Sequence, residues 1–80
     1  MSSGLKQDIS IGGNLQALRK SAGLSQEGLA AKLQLMGLPV SREIISQMEL
    51  GHYSIRVSVL VALKEIYQVD FAAFFEGLTV

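Results

Sequence analysis

Residues 23–33 read Gly-Leu-Ser-Gln-Glu-Gly-Leu-Ala-Ala-Lys-Leu, and residues 41–51 read Ser-Arg-Glu-Ile-Ile-Ser-Gln-Met-Glu-Leu-Gly. Each stretch contains a serine at the position of a helix N-cap, where its hydroxyl oxygen can accept a hydrogen bond from a free backbone N–H of the first turn. Hydrophobic staples, formed by apolar residues on either side of each cap, are Leu24 with Leu29 and Val40 with Ile45. The two stretches therefore predict two short consecutive helices over residues 26–36 and 42–50, each followed by a glycine.

The flanking sequence predicts three further helices. Residues 11–21 place apolar side chains at the spacing of one helix face, and residues 55–68 contain a second set at helical spacing. Asp70 is expected to cap a last short helix over residues 71–76. Strand signals are poor, because no clean period-2 run is bounded by hairpin turn residues. The sequence thus predicts an all-α fold with five helices.

The composition is that of one small domain. Eighty residues, 49% of them hydrophobic, are enough for one compact core and too apolar for a disordered chain. The absence of cysteine excludes disulfides and thiolate metal sites. No apolar stretch approaches the roughly 20 residues that cross a bilayer, and the N-terminus lacks a secretory signal, so we expect a cytoplasmic protein without membrane contact. We expect a flexible tail over residues 1–8 and one domain over residues 9–78.

The formal net charge is zero, but the charges are unevenly distributed along the chain. Residues 1–42 contain five basic and two acidic side chains, whereas residues 43–80 contain two basic and five acidic ones. Zero net charge argues against a sequence-independent polycation. This separation of basic and acidic residues along the chain is a first indication of function.

A set of residues spread over the five predicted helices forms one recognisable pattern. They are Ile11, Gly12, Leu15, Leu18 and Arg19; residues 23–27, Leu29, Ala30 and Leu33; Ser41, Ile45, Ser46, Met48, Glu49 and Gly51; and Leu60, Leu63, Val69 and residues 71–75. This pattern resembles the Xre-type helix-turn-helix family, which includes the lambda-like phage repressors and the Cro proteins. The resemblance covers residues 9–78. It implies a five-helix lambda-repressor-like domain and a repressor-like transcriptional regulator that binds double-stranded DNA sequence-specifically.

The connection between the second and third helices departs from the family pattern. Seven residues separate Leu33 from Ser41, where the family usually has a much shorter connection. We expect the additional residues to add a turn to the second helix and to lengthen the connector. Such an insertion can alter how far the third helix projects.

In a helix-turn-helix, the N-terminal part of the second helix of the motif reaches base edges in the major groove. The resemblance therefore assigns base contacts to Ser41, Arg42, Glu43, Ser46 and Gln47. Arg42 can donate two hydrogen bonds to guanine, Gln47 can pair with adenine, and Glu43 can accept from the cytosine amino group. The alternative is that these side chains form an ordinary solvated face.

The resemblance also implies contacts to the DNA backbone outside this helix. Candidate phosphate contacts are Gln26, Lys20, Tyr53, Ser54 and Arg56. Arg19 and Glu49 occupy positions at which the family often forms a salt bridge between the first and third helices, and we expect this pair to orient the recognition helix. A surface pair of this kind contributes only about 0–1 kcal/mol.

The fourth predicted helix is apolar on more than one side. Val57, Val59 and Val61 cannot all be buried in a monomer of this size, which indicates an interface. We therefore expect a homodimer through the fourth and fifth helices, with Val57, Val61 and Phe75 in the interface. For Phe75 the alternative is packing within the core.

Two function classes follow from the sequence. The first is the DNA-binding regulator, and the alternative is a protein-interaction or antitoxin-like module built on the same fold. An enzyme is not expected, because the sequence shows no nucleophile–base pair, no Gly-rich phosphate loop and no paired carboxylates. The DNA-binding regulator needs no cofactor, and a chain of this length has no room for a domain that binds a small-molecule ligand. We expect no metal, since the single histidine, His52, has no second ligand at metal-binding spacing.

Overall fold

The computed structural model describes residues 4–5, 7–52 and 54–79. Within them the chain forms, in order, strand β1 (Gly4–Leu5), helices α1 (Gly12–Ser21), α2 (Gln26–Leu35) and α3 (Arg42–Glu49), strand β2 (Ile55–Arg56), helix α4 (Val57–Tyr67) and a 3₁₀ helix (Phe71–Phe75). These four α-helices begin and end within two residues of the predicted bounds, so the mostly helical fold is confirmed. No helix in the described ranges has the length and apolar character to cross a lipid bilayer.

The prediction of a fifth α-helix is wrong, because Phe71–Phe75 forms a 3₁₀ helix. The Ala73 N–H donates to the Asp70 carbonyl oxygen at 3.0 Å, which is the tighter three-residue hydrogen bond. Among the described atoms, the Asp70 side chain makes no capping hydrogen bond. Five residues are too few to offset the cost of an α-helical nucleus. The segment is held by α1 instead, since Asn14 Nδ2 donates to two carbonyl oxygens at its end at 3.0 and 2.9 Å.

The structure also contains strands, which the sequence did not predict. Gly4 lies opposite Arg56 and Leu5 opposite Ile55 in an antiparallel pair. Part of the predicted tail over residues 1–8 therefore contributes to the fold, and Ile55 and Arg56 precede α4 instead of starting it. A two-residue ladder leaves no period-2 pattern in the sequence, and the pairing accompanies the complete burial of Ile55.

The helices and β2 share one apolar core. Its most deeply buried large side chains are Phe74, Leu15, Leu29, Leu33, Ile45, Ile55 and Leu63. On α4, Val59 is 3% exposed, whereas Val57 and Val61 remain 51% and 43% exposed. These values agree with the expectation that the three valines cannot all be buried. Phe75 is 44% exposed, so it is not a core residue within the monomer.

The connector between α2 and α3 contains most of the additional residues. Helix α2 ends at Leu35, two residues beyond Leu33 and one residue before its predicted end at Met36. Gly37 adopts a φ of +81°, a left-handed conformation that favours glycine and ends the helix. The Gln34 side-chain amide donates to the Val40 carbonyl oxygen at 3.1 Å. Val40 is buried, so the residue before the α3 cap is anchored in the core.

Candidate nucleic-acid interface

Helix α3 is anchored by its cap and by its apolar face. Ser41 Oγ accepts a hydrogen bond from the Ile44 N–H at 3.2 Å, which satisfies a free donor of the first turn. Ile45 and Met48 are buried in the core. The solvent-facing surface of this helix is therefore left to polar side chains.

The polar side of α3 carries the residues for which base contacts are predicted. Arg42, Glu43 and Gln47 are exposed, and Ser41 and Ser46 are partly buried. Arg42 Nη2 lies 3.9 Å from Glu43 Oε1, and both side chains are more than half exposed. Such a long surface pair contributes little, so the guanidinium remains available to another acceptor. The first turn of α3 thus presents both donors and acceptors to solvent.

Arg19 at the end of α1 and Glu49 at the end of α3 form a bidentate ion pair. Arg19 Nε donates to Glu49 Oε2 at 2.7 Å, and Arg19 Nη2 donates to Glu49 Oε1 at 3.0 Å. Arg19 Nη1 donates to the Leu24 carbonyl oxygen at 2.9 Å. The two side chains are only 8% and 4% exposed, so the expectation of a surface pair is wrong. The hydrogen bond with Glu49 raises the pKa of the Arg19 guanidinium despite the opposing effect of burial.

Gln26, the first residue of α2, joins this ion pair. Gln26 Nε2 donates to Glu49 Oε1 at 3.0 Å, so the carboxylate accepts three hydrogen bonds. We refer to Arg19, Gln26 and Glu49 as the polar cluster. It connects the end of α1, the start of α2 and the end of α3. The sequence marked Gln26 only as a candidate phosphate contact and gave no local sign of its bond to Glu49.

The other candidate phosphate contacts lie at the surface. Lys20 is exposed in the last turn of α1, and Ser54 and Arg56 are exposed next to and within β2. Tyr53 lies outside the described residues. The three described side chains are accessible to a DNA backbone, although they come from two separate regions of the chain.

Two polar residues before α1 make contacts that the sequence did not predict. Gln7 Nε2 donates to the Met48 carbonyl oxygen at 3.2 Å, and Gln7 Oε1 accepts from the Ile11 N–H at 3.1 Å. Ser10 Oγ accepts from the Gly12 N–H at 3.0 Å. A serine just before a helix is a recognised capping signal, so Ser10 could have been found. The role of Gln7, which joins the start of α1 to the end of α3, has no local signal.

Tyr67 on α4 is buried and should resist ionisation. Burial raises the pKa of Tyr67 well above its ordinary value; the negative charge of Glu49 adds to this rise and Arg19 opposes it. Because an unfolded tyrosine ionises near pH 10, the free energy of unfolding should fall above that pH, by up to about 1.4 kcal/mol per unit. Tyr67→Phe should remove this component, which urea unfolding from about pH 8 to 11 measures. If the free energy of unfolding depends on pH in the same way for the wild type and for Tyr67→Phe, the prediction is contradicted.

Comparison with known proteins assigns this fold to a family. The family model described as helix-turn-helix matches residues 15–74. The chain therefore belongs to the helix-turn-helix family, and the resemblance is confirmed. Its structure is similar to the crystal structure of the DNA-binding domain of BldD, with 29% sequence identity and a TM-score of 0.65, over 92% of this chain and 97% of that one. No curated protein matches the sequence.

Proposed function

We propose that the protein is a repressor-like transcriptional regulator that binds double-stranded DNA sequence-specifically and reads the major groove with α3. Family membership and similarity to a DNA-binding domain over nearly the full length of both chains favour this function over a protein-interaction or antitoxin-like module. The observation that carries the proposal is the exposed polar first turn of α3, on a helix held by the buried Arg19–Glu49 ion pair of the polar cluster. The role is binding and not catalysis, and the location that fits it is the cytoplasm.

Base recognition follows from the width of the major groove, which admits one α-helix. With α3 in the groove, Arg42 donates two hydrogen bonds to guanine O6 and N7, and Gln47 pairs with adenine N6 and N7. Glu43 accepts from cytosine N4, a contact that also rejects bases lacking a donor there. Ser41 and Ser46 contribute single hydrogen bonds at the edge of this surface.

Backbone contacts fix the protein on the duplex without reading its sequence. We assign them to Gln26, Lys20, Ser54 and Arg56, together with Tyr53, which lies outside the described residues. The basic half of the chain contains α1, α2 and the first residue of α3, whereas the acidic half contains α4. We expect the acidic half to point away from the duplex, and because the net charge of the chain is zero, non-specific binding should be weak.

Gel shifts with a random duplex, and with a duplex selected from a random pool, test the function. The logarithm of the affinity should fall linearly with the logarithm of salt concentration, with a slope of about −0.9 per neutralised phosphate. The selected duplex should bind more tightly than the random one at every salt concentration. If no duplex binds even at low salt, the protein-interaction module becomes the better hypothesis.

Arg42→Ala should weaken binding to the selected duplex by about 1–3 kcal/mol and relax the preference at one base position, because a bidentate contact to a base edge is lost. Lys20→Ala is the matched control, since it removes one exposed positive charge outside α3. This control should weaken binding to both duplexes equally. Binding curves with the two duplexes measure both effects, and an equal loss on both for Arg42→Ala would refute its base contact.

A homodimer is the assembly that the exposed apolar side chains support. Val57 and Val61 lie one turn apart on α4 and are each about half exposed, and Phe75 on the 3₁₀ helix has a similar exposure. A dimer would read two half-sites about one helical turn of DNA apart. We therefore propose that α4 and the 3₁₀ helix form the dimer interface.

The double substitution Val57→Ser and Val61→Ser should convert the dimer into a monomer without unfolding it, because both side chains are already exposed in the monomer. Sedimentation equilibrium measures the change. Leu35→Ser is the control: Leu35 is 89% exposed on α2, so its loss should leave the dimer intact. A clean wild-type monomer at high micromolar concentration would refute the dimer.

A further inference from the structure

The polar cluster fixes the orientation of the Gln26 side-chain amide. A carboxylate paired with an arginine has no hydrogen to donate, so the amide group that faces Glu49 is the NH₂ and not the oxygen. The 3.0 Å bond from Gln26 Nε2 to Glu49 Oε1 uses one of the two amide hydrogens. Among the described residues, no other group accepts a hydrogen bond from this nitrogen. The first residue of α2 therefore keeps one oriented N–H donor.

Arg19 makes this arrangement compatible with an anionic ligand. An unpaired carboxylate beside a DNA phosphate would repel it. Here Arg19 binds both Glu49 oxygens, at 2.7 and 3.0 Å, and the Glu49 side chain is only 4% exposed. The pair carries no net charge and is withdrawn from the surface. Glu49 can thus orient Gln26 without adding negative charge where α2 approaches DNA.

We propose that Glu49 is a positioning residue for DNA binding: its hydrogen bond holds the Gln26 amide with one N–H free to donate to a phosphate oxygen. The inference rests on the proposed function, in which Gln26 contacts phosphate. An amide held in place before binding loses less side-chain entropy when the DNA arrives. Because Glu49 ends α3, one carboxylate links the base-reading helix to the backbone-contacting start of α2.

Nuclear magnetic resonance of the wild-type protein with ¹⁵N-labelled side-chain amides tests this orientation. The two Gln26 amide hydrogens give separate signals because rotation about the amide C–N bond is slow. Adding the selected duplex should shift the signal of the free hydrogen, while the signal of the hydrogen bonded to Glu49 stays nearly unchanged. A bound duplex that shifts neither signal, or that shifts both signals equally, overturns the inference. Failure to bind any duplex is a different result, which overturns the proposed function and this inference with it.

A set of variants tests whether Glu49 affects the affinity for DNA by way of Gln26. Gln26→Ala should lower the affinity for the selected duplex about tenfold, the effect of one hydrogen bond to a charged acceptor. The R19M/E49L protein, in which apolar side chains fill the buried site, should show a similar loss. If Glu49 acts by way of Gln26, adding Q26A to R19M/E49L should lower the affinity for the selected duplex by less than about a further twofold.

The control is R19M/E49L combined with Lys20→Ala. Lys20 does not belong to the polar cluster, so the fold losses in DNA affinity caused by R19M/E49L and by Lys20→Ala should multiply. Multiplied losses in the triple variant with Q26A, or full affinity of R19M/E49L, would overturn the inference. Circular dichroism establishes that each variant is folded. Should R19M/E49L not fold, the wild-type resonance experiment decides the matter by itself.

Discussion

Replacing Gly12 with alanine is expected to lower the free energy of unfolding by about 3 kcal/mol. Gly12 lies at the start of α1, where a Cβ would stand 2.6 Å from the carbonyl carbon of Glu49 and 3.0 Å from the backbone nitrogen of Gly51. Both neighbours are backbone atoms, which cannot rotate away as the end of a side chain can. The methyl group would therefore push the start of α1 away from the end of α3, and the helix propensity gained from alanine, at most about 1 kcal/mol, is too small to offset this.

Gly13→Ala is the matched control for this substitution. Gly13 is the next residue of α1, and apart from its chain neighbours and the backbone of its own helix, no described atom lies within 4 Å of the position that its Cβ would occupy. Here alanine should raise the free energy of unfolding by about 0.5–1 kcal/mol, because it removes the conformational cost of glycine in a helix. Urea unfolding measures the free energy of unfolding of both variants, and its slope with urea concentration should stay the same as in the wild type. Similar stabilities for the two variants would show that α1 and α3 are not in this close contact.

The two helices of the motif could be predicted from the sequence because their signals are local. Ser25 Oγ accepts from the Gly28 N–H at 2.9 Å, and Ser41 Oγ accepts from the Ile44 N–H at 3.2 Å, as their cap positions predict. A cap, a staple and a terminal glycine all lie within a few residues of the helix end that they define. Such patterns can be recognised without knowing the tertiary structure.

The contacts that tie the helices together could not be predicted in this way. Gln7 and Met48 are 41 positions apart, and β1 pairs with β2 across most of the chain. The close approach at Gly12 depends on where the end of α3 lies, and a glycine at the start of a helix looks only like a weak helix former. These features depend on the folded arrangement, and short sequence patterns do not encode it.

The ion pair in the polar cluster lies between these two cases. Family resemblance identified Arg19 and Glu49 as partners, but the sequence gave no measure of how deeply they are buried. Burial changes the expected energetics. A surface pair can lose one partner at little cost in stability. A buried charge without its partner carries a desolvation penalty that no ion pair compensates.

Glu49→Leu should therefore lower the free energy of unfolding by about 3–5 kcal/mol. The substitution leaves the Arg19 guanidinium at 8% side-chain exposure with only the Leu24 carbonyl oxygen as a described hydrogen-bond acceptor. It also removes the acceptor of the Gln26 amide. Thermal and urea unfolding measure the loss, and a decrease below about 1 kcal/mol would show that the pair is effectively solvated.

Adding Arg19→Met to Glu49→Leu separates the cost of an unpaired charge from the value of the pair itself. Two apolar side chains of similar volume fill the same site without any buried charge, and such replacements are often neutral or stabilising. We expect the double variant to regain most of the lost stability and to come within about 1 kcal/mol of the wild type. If it stays as unstable as Glu49→Leu, the pair contributes net stability to the fold. If it recovers, the value of the pair lies in the geometry that it imposes on α1, α2 and α3, which is a property of binding and not of folding.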